Sequence, residues 1–307
     1  MKKVTIGIIG SGNISRYHIE ALKDSNFELV SIAGSFRSTT AKKLAKKYKF
    51  KKYYESPEAL AVNSSNESDA LLICCNVENT IKYINLAGTK IKILCEKPVS
   101  TNLKFLKSIK RKYSNVRVAY NRRYYESVQM LKKKIKKDNV YIANIELPEK
   151  LLNSKKNKYE RVFENSVHIF DLLNYLFDNP KFNYVKNTNN NFFKNFTFVS
   201  NRNNLINFTC NWNSSSNFKI EVFFRKEKYL LNPIEILSIY KNMKIIEPTT
   251  SYPIRTYIPN KIFQTKIKKN YAKYKPGFKE QSINFYNFIK GKNNIMANLH
   301  DAYNAIL

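Results

Sequence analysis

Three clusters in this 307-residue chain hold residue types that could do chemistry, each where one regular element hands over to the next. The first is Gly10-Ser11-Gly12-Asn13-Ile14-Ser15, between the apolar run VTIGII and a segment of helical spacing. In a G-x-G-x-x-G/A turn the glycines permit a tight bend and let the backbone approach a pyrophosphate at the helix N-terminus. Gly10, Gly12, Asn13 and Ile14 are therefore expected to touch a dinucleotide, and Ser15 occupies the place of the third small residue. About twenty residues on, an acid ordinarily holds the ribose 2′-hydroxyl. Here the segment reads Ala33-Gly34-Ser35-Phe36-Arg37-Ser38 and carries no acid. Ser35, Arg37 and Ser38 would instead donate to a 2′-phosphate, which favours NADP(H) over NAD(H). The competing reading leaves Arg37 solvated or stacked on adenine.

The second cluster, Cys95-Glu96-Lys97-Pro98, ends a strand-like run. Ligands of doubly wound sheets bind outside the carboxyl ends of strands, and Pro98 cannot continue a ladder, so Lys97 is presented to a crevice. The third is Glu164-Asn165-Ser166-Val167-His168-Ile169-Phe170-Asp171. Its spacings of four and three place Glu164, His168 and Asp171 on one helical face. An acid one turn before a histidine can hold the imidazole and raise its basicity, as a proton acceptor near neutral pH requires. Taken singly, the same residues fit a Glu–Lys salt bridge and a structural histidine.

The elements that position these clusters alternate. Strand patterns at 4–9, LVSIAGS, ALLICCN, IKILCEKP and VRVAYN are separated by helical patterns at 14–24, TTAKKLAKKYKF, about 80–88 and LKFLKSIKRKY. Continuous apolar strands between helices imply a parallel sheet buried on both faces. Beyond residue 121 the texture changes: helices are expected near 122–137 and 164–177, and a strand in YIANIEL. Strand-like segments follow near 192–200, 206–212, 218–224 and 235–240, with helices at 278–289 and from 297. Asn/Ser-rich turns without intervening helices mark an antiparallel sheet. The expected fold is α/β plus α+β: a Rossmann domain over 1–120, then a mostly antiparallel domain packed by helices over 121–307, for substrate binding and oligomerisation.

Composition narrows the classes. An apolar fraction of 43% with only 7 Gly and 9 Pro argues against disorder. No apolar run nears the ~20 residues of a membrane span. The N-terminal MKKVTIGIIGSGNIS lacks a small-x-small cleavage site. The four cysteines form no C-x-x-C and the three histidines are scattered, so neither zinc nor disulfides are expected, and the chain reads as cytoplasmic. A net charge of +31 invites a nucleic-acid reading. Most of the basic residues are lysine, spread along the chain and not gathered into one arm, which fits a solvated compositional bias better.

Taken together and in this order, GIIGSGNISRYHIEAL, AGTKIKILCEKPVS, NRRY at 121–124, ENSVHIFDLLNYLF and the closing FYNFIKG…DAYNAIL carry a family likeness. The chain resembles the glucose-fructose oxidoreductase / inositol dehydrogenase / rhizopine-catabolism (Gfo/Idh/MocA) family over nearly its whole length. The resemblance implies a catalytic Lys97 beside nicotinamide and substrate, His168 as base, and Glu164 in place of the family's first aspartate. It places Cys75, Asn76 and Glu96 at the cofactor, and Asn121, Tyr124, Asn165 and Asp171 toward substrate. It further implies NADP or NAD as cofactor, a sugar, polyol or nucleotide-sugar substrate, and a homodimer or homotetramer, with no metal, nucleic acid or membrane partner. Tyr159–Phe163 replaces the family's glycines before the histidine motif, which reshapes the pocket. Two other readings of the same fold are a glycosidase using bound cofactor for transient oxidation and a non-catalytic sensor.

Overall fold

The computed structural model describes residues 3–148, 158–186, 193–211, 214–267 and 273–305; the side chains of 158–165, 182–186 and 193–194 fall outside that description. In chain order the first elements are β1 (Val4–Ile9), α1 (Asn13–Lys23), β2 (Phe27–Ala33), α2 (Thr39–Tyr48), β3 (Lys52–Tyr54) and α3 (Pro57–Glu67). They continue with β4 (Ala70–Ile73), α4 (Val77–Ala87), β5 (Lys92–Cys95), α5 (Leu103–Ile109) and β6 (Val116–Val118). All pairings in this six-stranded sheet are parallel and the order is β3-β2-β1-β4-β5-β6. The strand order reverses between β1 and β4, opening a crevice at their carboxyl ends.

Alternate side chains explain why β1 and β4 are predominantly apolar. Val4, Ile6 and Ile8 of β1, with Ala70 and Leu72 of β4, pack among Ile19 and Leu22 of α1 and Leu44 of α2. Ile9, Leu71 and Ile73 point the other way, toward Leu60 of α3, Ile84 of α4 and Leu106 of α5. Each buried aliphatic side chain contributes about 1.5–3 kcal/mol, so no strand position here can be polar without cost. Local caps set the helix starts: Ser38 accepts from Ala41 N–H, and Ser56 from Ala59 N–H, with Pro57 in the first turn of α3.

After a 3₁₀ turn at Asn121–Tyr124 come α6 (Glu126–Lys137), β7 (Val140–Leu147), α7 (Lys158–Phe177), β8 (Lys181–Lys186), β9 (Phe193–Val199) and β10 (Leu205–Asn211). Then follow β11 (Lys219–Phe224), β12 (Glu227–Leu231), β13 (Leu237–Ile246), β14 (Thr256–Gln264), α8 (Phe278–Ile289) and α9 (Leu299–Asn304). The second sheet has eight strands in the order β14-β13-β12-β11-β7-β10-β9-β8. It is antiparallel except where β10 runs parallel to β7. The expected α/β plus α+β fold is thus the observed one.

Two compact units partition the chain. One takes residues 1–124, 159–171 and 269–307; the other takes 125–158 and 172–268. The units are not consecutive stretches, because the first half of α7 and the C-terminal helices count with the parallel sheet. In that unit Phe285 and Tyr286 of α8 complete the layer over β1, and Leu299 and Ala302 of α9 join the opposite layer.

Several details depart from the sequence reading. The helix expected over 122–137 is broken at Tyr125, whose extended backbone caps α6. The helix expected from residue 80 begins at Val77, and α7 begins at Lys158, not at 164. Short β3, α3, β8, β12 and β14 have no clear period.

Candidate functional site

Gly10 ends β1 with φ +126, and a Cβ there would lie 2.2 Å from the Cys74 carbonyl oxygen at the end of β4. Only glycine lets the two strand ends approach so closely. Gly12 is the opposite case: it caps α1 with φ −74, and an added Cβ would meet nothing within 4 Å. No side chain caps α1 and its first turn holds no acid, so the helix N-terminus faces open space with its N–H groups unshielded. That is the shape and charge a pyrophosphate needs. Ser15, where a third glycine was expected, is fully buried against Cys74, so the helix–strand contact accepts the hydroxymethyl. Asn13 and Ile14 open the helix as expected.

At the end of β2, Ser35 is exposed and Ser38 is used as the cap of α2, its hydroxyl 3.2 Å from that of Ser11. Arg37 adopts φ +52, donates its N–H to Glu55 carbonyl oxygen at 2.8 Å and sets its Nε 3.4 Å from Glu55 Oε2. An acid does therefore reach this corner, but from the loop after β3. Both side chains are well exposed, so the pair adds little stability. Its 18-residue separation hid it from sequence reasoning. At the end of β4, the Cys75 thiol is partly buried 3.8 Å from Thr80 Oγ1, with burial raising its pKa, and Asn76 caps α4.

Glu96 leaves β5 with its N–H bonded to Ile73 carbonyl oxygen at 2.8 Å. Its carboxylate pairs with His18 and with the Lys97 backbone: Nε2 of His18 lies 2.7 Å from Oε1, and Oε2 accepts the Lys97 N–H at 3.1 Å. His18 is almost wholly buried and lies against the ring of Phe278, 4.7 Å between centroids. His18 thus both packs against Phe278 and binds Glu96.

His168 is buried, with Tyr120 edge-on at 5.9 Å. Its Nδ1 has no hydrogen-bond partner among the described residues. Burial, then the charges of Arg122 and Lys97, hold its pKa well below the ordinary imidazole value. The structure thus brings Lys97 and His168 within electrostatic reach and adds Arg122, which the sequence marks only as part of NRRY. A neutral imidazole beside two cations is a proton acceptor ready at neutral pH.

Other expected substrate residues have found different partners. Asp171 is buried and bound by Arg123: Nε lies 3.1 Å from Oδ1 and 2.8 Å from Oδ2, and Nη2 lies 2.6 Å from Oδ1. Burial lifts the Asp171 carboxyl to about 6 even against that pull, and it is ionised at neutral pH. Asn121 donates to the Pro276 carbonyl oxygen at 2.9 Å, and Tyr124 is buried in the layer beneath α8. Glu164 and Asn165 lie on α7, and their side chains are outside the described residues. All four cysteines are free thiols, and no cluster of metal-ligating side chains occurs among the described residues. No described helix is long and apolar enough to cross a membrane.

A parallel sheet in this strand order, with an uncapped glycine turn at its crossover, defines a dinucleotide-binding domain. Residues 4–121 match the model of the GFO_IDH_MocA oxidoreductase family, described as an NAD-binding Rossmann fold. A curated relative, the myo-inositol 2-dehydrogenase of Thermotoga maritima, is 27% identical over 141 residues. That match covers 44% of this chain and 41% of the relative, about two fifths of its length. Among solved structures, UDP-N-acetylglucosamine 3-dehydrogenase from Acidithiobacillus ferrooxidans superposes with TM-score 0.73 at 14% identity, over 100% of this chain and 95% of that one. Myo-inositol dehydrogenase from Lactobacillus casei, in complex with NAD(H) and myo-inositol, gives 0.69 at 16% identity, over 99% and 91%. At such identities the likeness is one of fold.

Proposed function

We propose that the protein is an NAD(P)-dependent oxidoreductase acting on a CH–OH group of a sugar, polyol or nucleotide sugar. The observation that carries this reading is that the charge of Lys97, just past the end of β5, acts on a buried His168 in the unit whose β1 ends in the glycine turn. Gly10, Gly12, Asn13 and Ile14 would hold the pyrophosphate, Ser35, Arg37 and Ser38 the adenosine end, and Cys75, Asn76 and Glu96 the nicotinamide half. Bound nicotinamide supplies or accepts the hydride. His168, neutral through burial, accepts the hydroxyl proton on its imidazole nitrogen. The Lys97 ammonium stabilises the developing alkoxide and orients the hydroxyl. Glu164 and Asn165, on the same helix, are assigned to the histidine or to substrate hydroxyls. Residues 1–120 would carry cofactor and 121–307 substrate.

NADP(H) is the preferred cofactor, on the strength of Arg37 and the absence of an acid at the end of β2. The sugar-like substrate class draws on the inositol and nucleotide-sugar dehydrogenases that the chain resembles. The β13–β14 hairpin exposes Met243, Ile245, Tyr257 and Ile258 to solvent, an apolar surface that suits a homodimer or homotetramer. Four free thiols fit a cytoplasmic, reducing compartment.

The test is a NADP+ absorbance screen over polyols, sugars and nucleotide sugars, followed by Lys97→Ala and His168→Ala. Both variants should bind NADPH as the native protein does, and lose at least about 100-fold in kcat. Unchanged turnover in either would refute its role.

A further inference from the structure

Glu96 stands between the two halves of the cradle. One oxygen accepts the N–H of Lys97 at 3.1 Å and the other meets His18 of α1 at 2.7 Å. Because a carboxylate has no proton to give, His18 Nε2–H is the donor. The imidazole cannot swing away: its exposure is 1%, and Phe278 at the start of α8 lies against it. Glu96 is itself tied to β4 through its backbone N–H. With both carboxylate oxygens spoken for, the peptide that presents the Lys97 side chain is referenced to α1, whose N-terminus is the pyrophosphate cradle.

We propose that His18 is a positioning residue for Lys97, acting through Glu96 and never touching substrate. The inference rests on the oxidoreductase reading for its catalytic consequence, but not for its geometry. Displacing a catalytic group by about 1 Å can cost about 100-fold in rate, so a hydrogen bond far from the reacting atoms can control kcat. Glutamine carries its amide nitrogen near the place of imidazole Nε2, whereas asparagine reaches only as far as Nδ1. His18→Gln can therefore keep the bond to Glu96, and His18→Asn cannot.

The experiment acetylates the native protein, His18→Gln and His18→Asn with limiting N-acetoxysuccinimide. Peptide mass spectrometry follows Lys97 against exposed Lys107, and thermal unfolding, NADPH affinity and kcat are measured alongside. In His18→Asn the Lys97/Lys107 acetylation ratio is expected to change at least about threefold. Its kcat should fall about 10–100-fold, with melting temperature and NADPH affinity nearly constant, and His18→Gln should recover most of both losses. If the acetylation ratio changes but no form of the protein turns over any alcohol, the positioning stands and the oxidoreductase reading fails. If His18→Asn leaves both the ratio and kcat as they were, or if His18→Gln is as impaired as His18→Asn, the inference is overturned. Should His18→Asn not fold, Glu96→Gln weakens the same bond from its other end and takes its place. A changed ratio and a lowered kcat there support the positioning role, and no change in either overturns it.

Discussion

Arg123 closes on Asp171 with two nitrogens on two oxygens, both side chains withdrawn from solvent, and Asp301 Oδ2 stands 3.7 Å from the remaining Nη1. The last acid of the histidine helix therefore fastens α7 to the 3₁₀ turn that follows the parallel sheet. Breaking a buried pair from one side leaves an uncompensated charge and costs about 3–5 kcal/mol. Asp171→Asn and Arg123→Met should each lose that much in urea unfolding. The double variant Arg123→Met/Asp171→Leu should lose less than the sum of the singles. Full additivity would mean the two groups are not coupled.

A depressed His168 pKa has a sign that can be checked. The unfolded chain binds a proton at the ordinary imidazole value while the folded chain resists it. Folding stability is therefore intact above about pH 6.5 and declines as pH falls from there toward the folded-state pKa. His168→Asn should flatten this part of the stability–pH curve. In the native protein the acid limb of kcat/KM should lie below about pH 6.5 for the same reason. A limb above that value that vanishes in His168→Asn would contradict the assigned environment.

How much of this was legible in the sequence depended on distance along the chain. The parallel sheet was readable because its strands are apolar on both faces, and the glycine turn because position and composition agree over six residues. Lys97 and His168 were marked by local pattern and by family likeness. Their surroundings were not: His18 and Glu96 lie 78 residues apart, Arg123 and Asp171 48. Such pairs leave no periodic trace. Spacing did put Asp171 on the histidine face, but spacing cannot say which partner a carboxylate finds. Helix α3 carried a legible start in Ser56-Pro57, yet its polar Asn63-Ser64-Ser65-Asn66 blurred the helical period. Strand β14 contains Pro259 and is exposed on both sides, so alternation has nothing to report.

The two glycines of the cradle should respond differently to the same methyl group. At Gly10 an alanine Cβ would meet the Cys74 carbonyl at 2.2 Å and would hold φ +126. Strain of that kind costs about 1–3 kcal/mol before the clash is counted, so Gly10→Ala should lower stability and cofactor affinity together. At Gly12 the backbone suits alanine and the space is open, so stability should fall by less than about 1 kcal/mol through the poorer cap. The methyl would nevertheless occupy the approach to the helix N–H groups, and NADPH affinity should drop at least about tenfold. Calorimetric unfolding with fluorescence titration separates the cases. A Gly12→Ala protein that binds NADPH normally would remove the cradle from the α1 N-terminus.

In the proposed reading, cofactor preference turns on the exposed pair Arg37 and Glu55. Arg37 is tethered by its backbone N–H, which fixes where its side chain starts, while the 3.4 Å contact to Glu55 is solvent-screened and easily exchanged. A 2′-phosphate would outcompete the carboxylate for the guanidinium, since charge-assisted bonds contribute about 1.5–3 kcal/mol. Arg37→Ala should therefore weaken NADPH binding about tenfold or more and leave NADH binding within about twofold. Glu55→Gln should strengthen NADPH binding a few-fold by removing both competitor and repulsion. Titrations at two salt concentrations sharpen the test, because the Arg37 contribution to NADPH affinity should shrink as ionic strength rises. If Arg37→Ala weakens NADH and NADPH equally, Arg37 serves the adenine and not the 2′-phosphate.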